Sequence, residues 1–112
     1  MIMDGIRATA QLDALKAKHN MVLVYFSNED CGVCKSLLPR LNALLLKHPD
    51  IMAVTADLPG TPELAANFSI FTVPAVILFV MGKETLREAG FISLAELERQ
   101  ITKYNTQLNL RL

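Results

Sequence analysis

Met21-Val22-Leu23-Val24-Tyr25-Phe26-Ser27-Asn28-Glu29-Asp30-Cys31-Gly32-Val33-Cys34 is the stretch from which the rest of the chain can be ordered. Six apolar residues in a row, bounded by a polar loop, read as a buried strand. Beyond the loop, Leu37, Leu41, Leu44 and Leu45 recur at helical spacing, so a helix is expected from about Cys31 to Lys47. The two cysteines are the only ones in the sequence, and they stand three positions apart at the start of that helix. Thiols so spaced meet within one turn, and beside a βαβ pattern this spacing reads first as a redox pair. Two other readings stay open on the residues alone. The cysteines could be small buried apolar groups, or half of a tetrahedral metal site. His19 and His48 lie far off in sequence, so such a site would need a second chain or an outside thiol.

Outward from this stretch the elements alternate. A helix precedes it, over about Thr9–His19, with Ala8, Leu12 and Leu15 on one stripe and Lys16 and Lys18 near its C-terminal end. The state of the first residues, up to Asp4-Gly5, is open. Pro39 sits inside the second helix, where it removes one backbone donor and predicts a kink, and His48-Pro49-Asp50 ends that helix. Ile51–Ala56 is a second strand, and Leu58–Pro62 a turn into a short helix over Glu63–Asn67. Val76–Met81 is a continuous apolar run and so a central strand. Gly82-Lys83 turns it into a hairpin partner over Glu84–Ala89. Ser93-Leu94-Ala95-Glu96 has the form of a capping box, and Leu94, Leu97, Ile101, Tyr104 and Leu108 line one face of a last helix. The state of the tail after Leu108 is open. Met21, Met52 and Met81 read as core filler, both histidines as solvated or carbonyl-capping groups at helix ends, and Asp57 as a turn residue.

Bulk properties narrow the function classes. A chain of 112 residues is one domain, 1–112, and buries enough surface to fold without a structural disulfide. Eleven basic side chains balance eleven acidic ones, which gives no electrostatic case for nucleic acid or an anionic membrane. No stretch reaches the roughly 18 apolar residues of a membrane span. The first residues lack the basic-then-apolar order of a signal peptide, so a cytoplasmic protein is expected; a monomer is expected as well. Cytosolic thiols are kept reduced, and a close pair there points to chemistry more than to bracing. No phosphate loop, Ser-His-Asp set or paired carboxylates stand out.

The order helix, strand, helix, strand, helix, strand, strand, helix implies a mixed α/β sheet with helices on both faces. With Cys31-x-x-Cys34, Pro39 five residues later, Thr72-Val73-Pro74 before an apolar strand, Gly82 in a hairpin turn and Gly90 before the last helix, the chain resembles the thioredoxin family over about residues 20–103. The resemblance implies a thioredoxin fold with a central sheet of four to five strands. It implies thiol–disulfide exchange in which Cys31 attacks and Cys34 resolves, with no cofactor and no metal. It also implies a cis bond at Val73-Pro74, with Gly32, Val33, Val73 and Pro74 facing an extended substrate segment. The partners implied are a disulfide-containing protein substrate and an upstream reductase. A binding or redox-sensing module that keeps the Pro74 groove is the alternative.

The chain departs from the family pattern at three places. Trp-Cys-Gly-Pro-Cys is usual, whereas here Asp30 precedes the pair, Val33 replaces proline, and no Trp exists. Asp30, with Glu29 beside it, puts negative charge next to a Cys31 thiolate and disfavours it, which makes the pair more reductant than oxidant. Lys35 follows Cys34 and reads as a solvated cation. The family's buried carboxylate falls at Tyr25 and its basic partner at Ala53. A phenol cannot take a proton at neutral pH, so resolution by Cys34 lacks its usual acceptor. Ala75 stands where threonine is common. A reductase slower or narrower than a general thioredoxin is expected.

Overall fold

Six fully apolar residues in β2 (Met21–Ser27) split alternately between two cores, which is why the run shows no polar face. Met21, Leu23 and Tyr25 point to one side of the sheet, and Val22, Val24 and Phe26 to the other. A computed structural model describes residues 2–111, and side-chain surroundings for residues 5–109. Its five strands run in the order β1-β3-β2-β4-β5, with β2 at the centre. β1 (Ile2–Gly5) and β2 pair in parallel with β3 (Met52–Asp57). β4 (Ala75–Val80) is antiparallel to β2, and β5 (Lys83–Ala89) to β4. This is the mixed α/β sheet expected, and β1 settles the open start of the chain.

α2 (Gly32–Leu46) and α4 (Leu94–Arg111) cover one face. Leu37, Leu41, Leu44 and Leu45 of α2 and Leu97 and Ile101 of α4 are all buried there, as their spacing predicts. Each such side chain contributes roughly 1.5–3 kcal/mol on transfer from water. α1 (Thr9–Lys18) and α3 (Pro62–Asn67) cover the other face, with Leu12 and Leu64 fully buried against Val24 and Phe26. Ala8, placed on the α1 stripe by its spacing, is exposed. It is the N-cap residue of α1, and the Gln11 Oε1 accepts its amide at 3.0 Å. α2 continues through Pro39, whose missing amide leaves only the exposed Lys35 carbonyl without its helical partner.

Further expectations change, and the open state of the tail is settled. Met81 is not a core strand residue. It lies in the β4–β5 turn with φ 52 and is 54% exposed, and the turn is Met81-Gly82, one residue earlier than read. Both central residues have positive φ, the form that suits the twist of a two-residue hairpin. The capping box at Ser93 is half formed. Ser93 Oγ accepts the Glu96 amide at 3.2 Å, but the Ser93 amide donates to Glu88 of β5 at 3.1 Å, because Glu96 is held by Arg99. Among the described residues His48 caps no carbonyl; its ring meets Glu98 at 3.2 Å and Asn105 at 3.5 Å, fastening the end of α2 to α4. The tail after Leu108 continues α4 to Arg111, and Leu112 lies outside the described residues.

Candidate active site

The loop between β2 and α2 is shaped by Asn28. Its side-chain Oδ1 accepts the Asp30 amide at 2.9 Å, and its carbonyl accepts the Cys31 amide at 3.0 Å. This Asx turn delivers Cys31 to the N-cap position of α2, with extended backbone (φ −92, ψ 106). The Cys31 sulfur then accepts the Cys34 amide at 3.1 Å, the place a serine or aspartate oxygen takes in most helices. Free N–H groups and the positive end of the helix macrodipole both face that sulfur. Cys31 and Cys34 are joined in a disulfide, with Cα atoms 5.2 Å apart. The two sulfurs are unequal in access: Cys31 is partly exposed, while Cys34 is 3% exposed and belongs to the α2–α4 core.

Tyr25 lies directly beneath the pair. It is 1% exposed, and its hydroxyl donates to the Cys34 carbonyl at 2.8 Å. Burial pushes its phenol above the ordinary tyrosine range, so it stays protonated at neutral pH and cannot accept a thiol proton. Ala53, across β3, is fully buried and supplies no charge. Where the resemblance leads one to expect a carboxylate, the structure has a group that fixes backbone.

A second loop closes the site. The Val73-Pro74 bond is cis, and Pro74 is buried. The Pro74 carbonyl accepts the Gly90 amide at 2.8 Å, which ties this loop to the β5–α4 connection. Gly90 has φ +80, a conformation that L side chains rarely adopt, and a Cβ there would sit 3.6 Å from Thr72. The Val73 side chain packs against both cores, and neither its amide nor its carbonyl has a partner among the described residues. A cleft of about 160 Å³ runs between Val33, Ser36 and Arg40 of α2 and Pro74, Gly90 and Phe91 opposite. The residues read from sequence at 31–34 and 73–74 thus come together, although some forty positions separate them.

The remaining sequence candidates sit around this centre. Gly32 is exposed, and a Cβ there would meet nothing within 4 Å, so the space above it is open. Val33 is 63% exposed. Glu29, Asp30 and Lys35 are exposed, and their side chains make no hydrogen bond or ion pair among the described residues. Three residues went unread in the sequence: Phe91 at 82% exposure, Phe71 at 86%, and Arg40. Two bare phenylalanines flanking Thr72-Val73-Pro74 and Gly90 carry a signal that burial alone reveals. Arg40 carried none, being one more polar position of an amphipathic helix. Among the described residues, no three His, Cys, Asp or Glu side chains converge on a possible metal site.

A family model described as thioredoxin matches residues 6–103. The thioredoxin-like protein YdfQ of Bacillus subtilis is 33% identical over 101 residues, 90% of each chain. The thioredoxin of Chlamydia trachomatis is 36% identical over 84 residues, 75% of this chain and 82% of its own. Among solved structures, Fasciola hepatica thioredoxin superposes with a TM-score of 0.82 at 26% identity, covering 91% of this chain and 99% of that one.

Proposed function

This chain belongs to the thioredoxin family and is a thiol–disulfide oxidoreductase; on that premise we propose that it reduces protein disulfides, with Cys31 as the attacking and Cys34 as the resolving sulfur. The observation that carries the assignment is the unequal access of the pair: Cys31 is partly exposed at the α2 N-cap, and Cys34 is 3% exposed behind it. In the reduced state the Cys34 amide and the helix end favour charge on Cys31 Sγ. The Cys31 thiolate attacks one sulfur of the substrate disulfide and expels the other as a thiolate. Cys34, once deprotonated, attacks Cys31 Sγ and expels the second substrate sulfur. Two electrons pass to the substrate, and the enzyme is left with the Cys31–Cys34 bond.

The proton of Cys34 needs an acceptor. Tyr25 is committed to the Cys34 carbonyl, and burial keeps it protonated. The acceptor is then the departing substrate thiolate or solvent reaching it. This makes resolution the slow step. Glu29 and Asp30, exposed in the loop that leads into Cys31, oppose its thiolate, which biases the pair toward reduction of substrates; Lys35 weakly counters them. The unpartnered Val73 backbone receives an extended substrate segment by strand addition, with Gly32, Val33 and Pro74 as its floor. An upstream reductase returns the pair to dithiol. The setting is cytoplasmic, the chain acts as a monomer, and residues 1–112 form one domain. No helix among the described residues is long and apolar enough to cross a membrane.

The test is a trap. Pre-reduced Cys34→Ser, mixed with a disulfide-bonded model protein, should accumulate a mixed disulfide that dithiothreitol releases. Cys31→Ser should capture nothing and turn nothing over. Equal capture by the two variants would remove the assignment of roles.

A further inference from the structure

The cleft beside the disulfide is apolar on its walls and cationic at its far end. Val33, Pro74 and Phe91 form the walls, and Arg40 closes it on the α2 side. Arg40 also borders a second cleft of about 320 Å³, which continues along the α2–α4 seam past Leu94 to Lys47 and Glu98. In that second cleft Lys47 is already matched by Glu98 at 3.4 Å. Arg40 makes no hydrogen bond or ion pair among the described residues, so of the cations lining these two clefts it is the one left to meet an incoming charge. The loop leading into Cys31 carries Glu29 and Asp30, exposed and also without ionic partners. The charges before the disulfide in the chain and the cation of the cleft therefore differ in sign.

Resting on the oxidoreductase reading above, we propose that Arg40 determines substrate specificity, selecting an extended segment of a protein substrate that carries an Asp or Glu about four residues from its reactive cysteine. The spacing follows from the helix. Arg40 is nine residues past Cys31 on α2, about 13 Å along the axis at ~1.5 Å per residue. An extended chain covers that distance in about four residues at ~3.3 Å each. Between the reactive cysteine and the acid, an apolar side chain of the substrate meets Val33 and the Phe91 ring. An acid held toward Glu29 and Asp30 is disfavoured by their charge, so only one direction of the segment gains. Arg40 is exposed, which sets the gain at the scale of a rim ion pair, about three- to fivefold at low salt.

The test uses eleven-residue peptides whose single central cysteine is capped with 2-thiopyridine. The pre-reduced protein attacks the peptide sulfur and expels 2-thiopyridone, whose absorbance is read. Cys34 then displaces the peptide as a thiol, leaving the enzyme disulfide. Matched peptides carry glutamate four residues before the cysteine, glutamate four residues after it, or glutamine at both places. One glutamate peptide should react about three- to fivefold faster than the glutamine peptide, and the gain should shrink in 0.5 M salt. Arg40→Gln should abolish the gain, and Arg40→Glu should transfer it to a peptide with lysine at the same position. Equal rates for the three peptides with the parent protein, or a gain that survives Arg40→Gln, would overturn the role of Arg40 while leaving disulfide reduction standing. Failure of the parent to release 2-thiopyridone from any peptide would remove the oxidoreductase reading and this one with it.

Discussion

Replacing Tyr25 with phenylalanine removes one oxygen from the best-protected polar contact of the site. The ring stays, so no cavity opens and the packing within the α2–α4 core is preserved. What disappears is the 2.8 Å hydrogen bond to the Cys34 carbonyl, between residues 1% and 3% exposed. That carbonyl keeps a helical partner, because Leu38 has an amide to donate, so the cost is that of one net hydrogen bond, about 1 kcal/mol. In urea, with a slope of roughly 1–1.5 kcal/mol/M, the midpoint should fall by about 0.7–1 M with the slope unchanged. The bond ends on backbone and not on sulfur, so oxidised and reduced forms should lose the same amount. By linkage the reduction potential then moves by less than about 10 mV, since ~30 mV corresponds to ~1.4 kcal/mol for two electrons. The experiment is paired urea titration of both redox forms, with a glutathione redox titration of the parent and the variant. A variant as stable as its parent would refute the structural role of the hydroxyl. A loss confined to one redox form would show that Tyr25 acts on the sulfurs and not on the helix.

Other expectations follow from the same geometry. Because burial raises the Tyr25 pKa, its stabilising share is complete below the unfolded value near 10 and is lost as pH rises from there through the folded value; oxidised Tyr25→Phe should show a flatter decline in urea midpoint between about pH 9.5 and 11. Asp30→Asn should speed alkylation of reduced Cys31 about threefold at pH 7, from loss of a unit charge on the adjacent residue in a watery setting; stopped-flow iodoacetamide kinetics that show no acceleration would exclude the charge effect. Met81→Asn, at φ 52 in an exposed turn, should raise stability by about 0.5–1 kcal/mol by thermal denaturation. Ser93→Ala should lower it by about 1 kcal/mol through loss of the bond to the Glu96 amide.

The local elements and the reactive pair were readable because their causes are local. A six-residue apolar run has nowhere to go but between two layers, and the leucine spacing of α2 places one face without knowledge of what covers it. Cys31 at a helix start follows from the same boundary. The misplaced parts depend on contacts between distant positions. His48 reads as a solvated or carbonyl-capping group because its partners, Glu98 and Asn105, are brought to it only by the packing of α4 on α2. The capping box at Ser93 failed in half because Glu88 and Arg99 compete for its members. Met81 continues an apolar run in sequence and only the register with β5 puts it in the turn. The cleft joins positions 33, 40, 74 and 91, which share no period, and Arg40 gains its meaning from the empty space beside it.

The sulfur that begins the exchange also completes the first turn of α2 by accepting the Cys34 amide. One atom thus serves as reagent and as fastener, and the two jobs are separable by mutagenesis. A hydroxyl at position 31 retains the fastening while abolishing reactivity; a methyl group removes both and lets the helix fray from the end that carries Gly32 and Val33. Work with inactive forms of this protein should accordingly rely on Cys31→Ser, since any binding defect in Cys31→Ala would mix lost chemistry with an unwound docking surface.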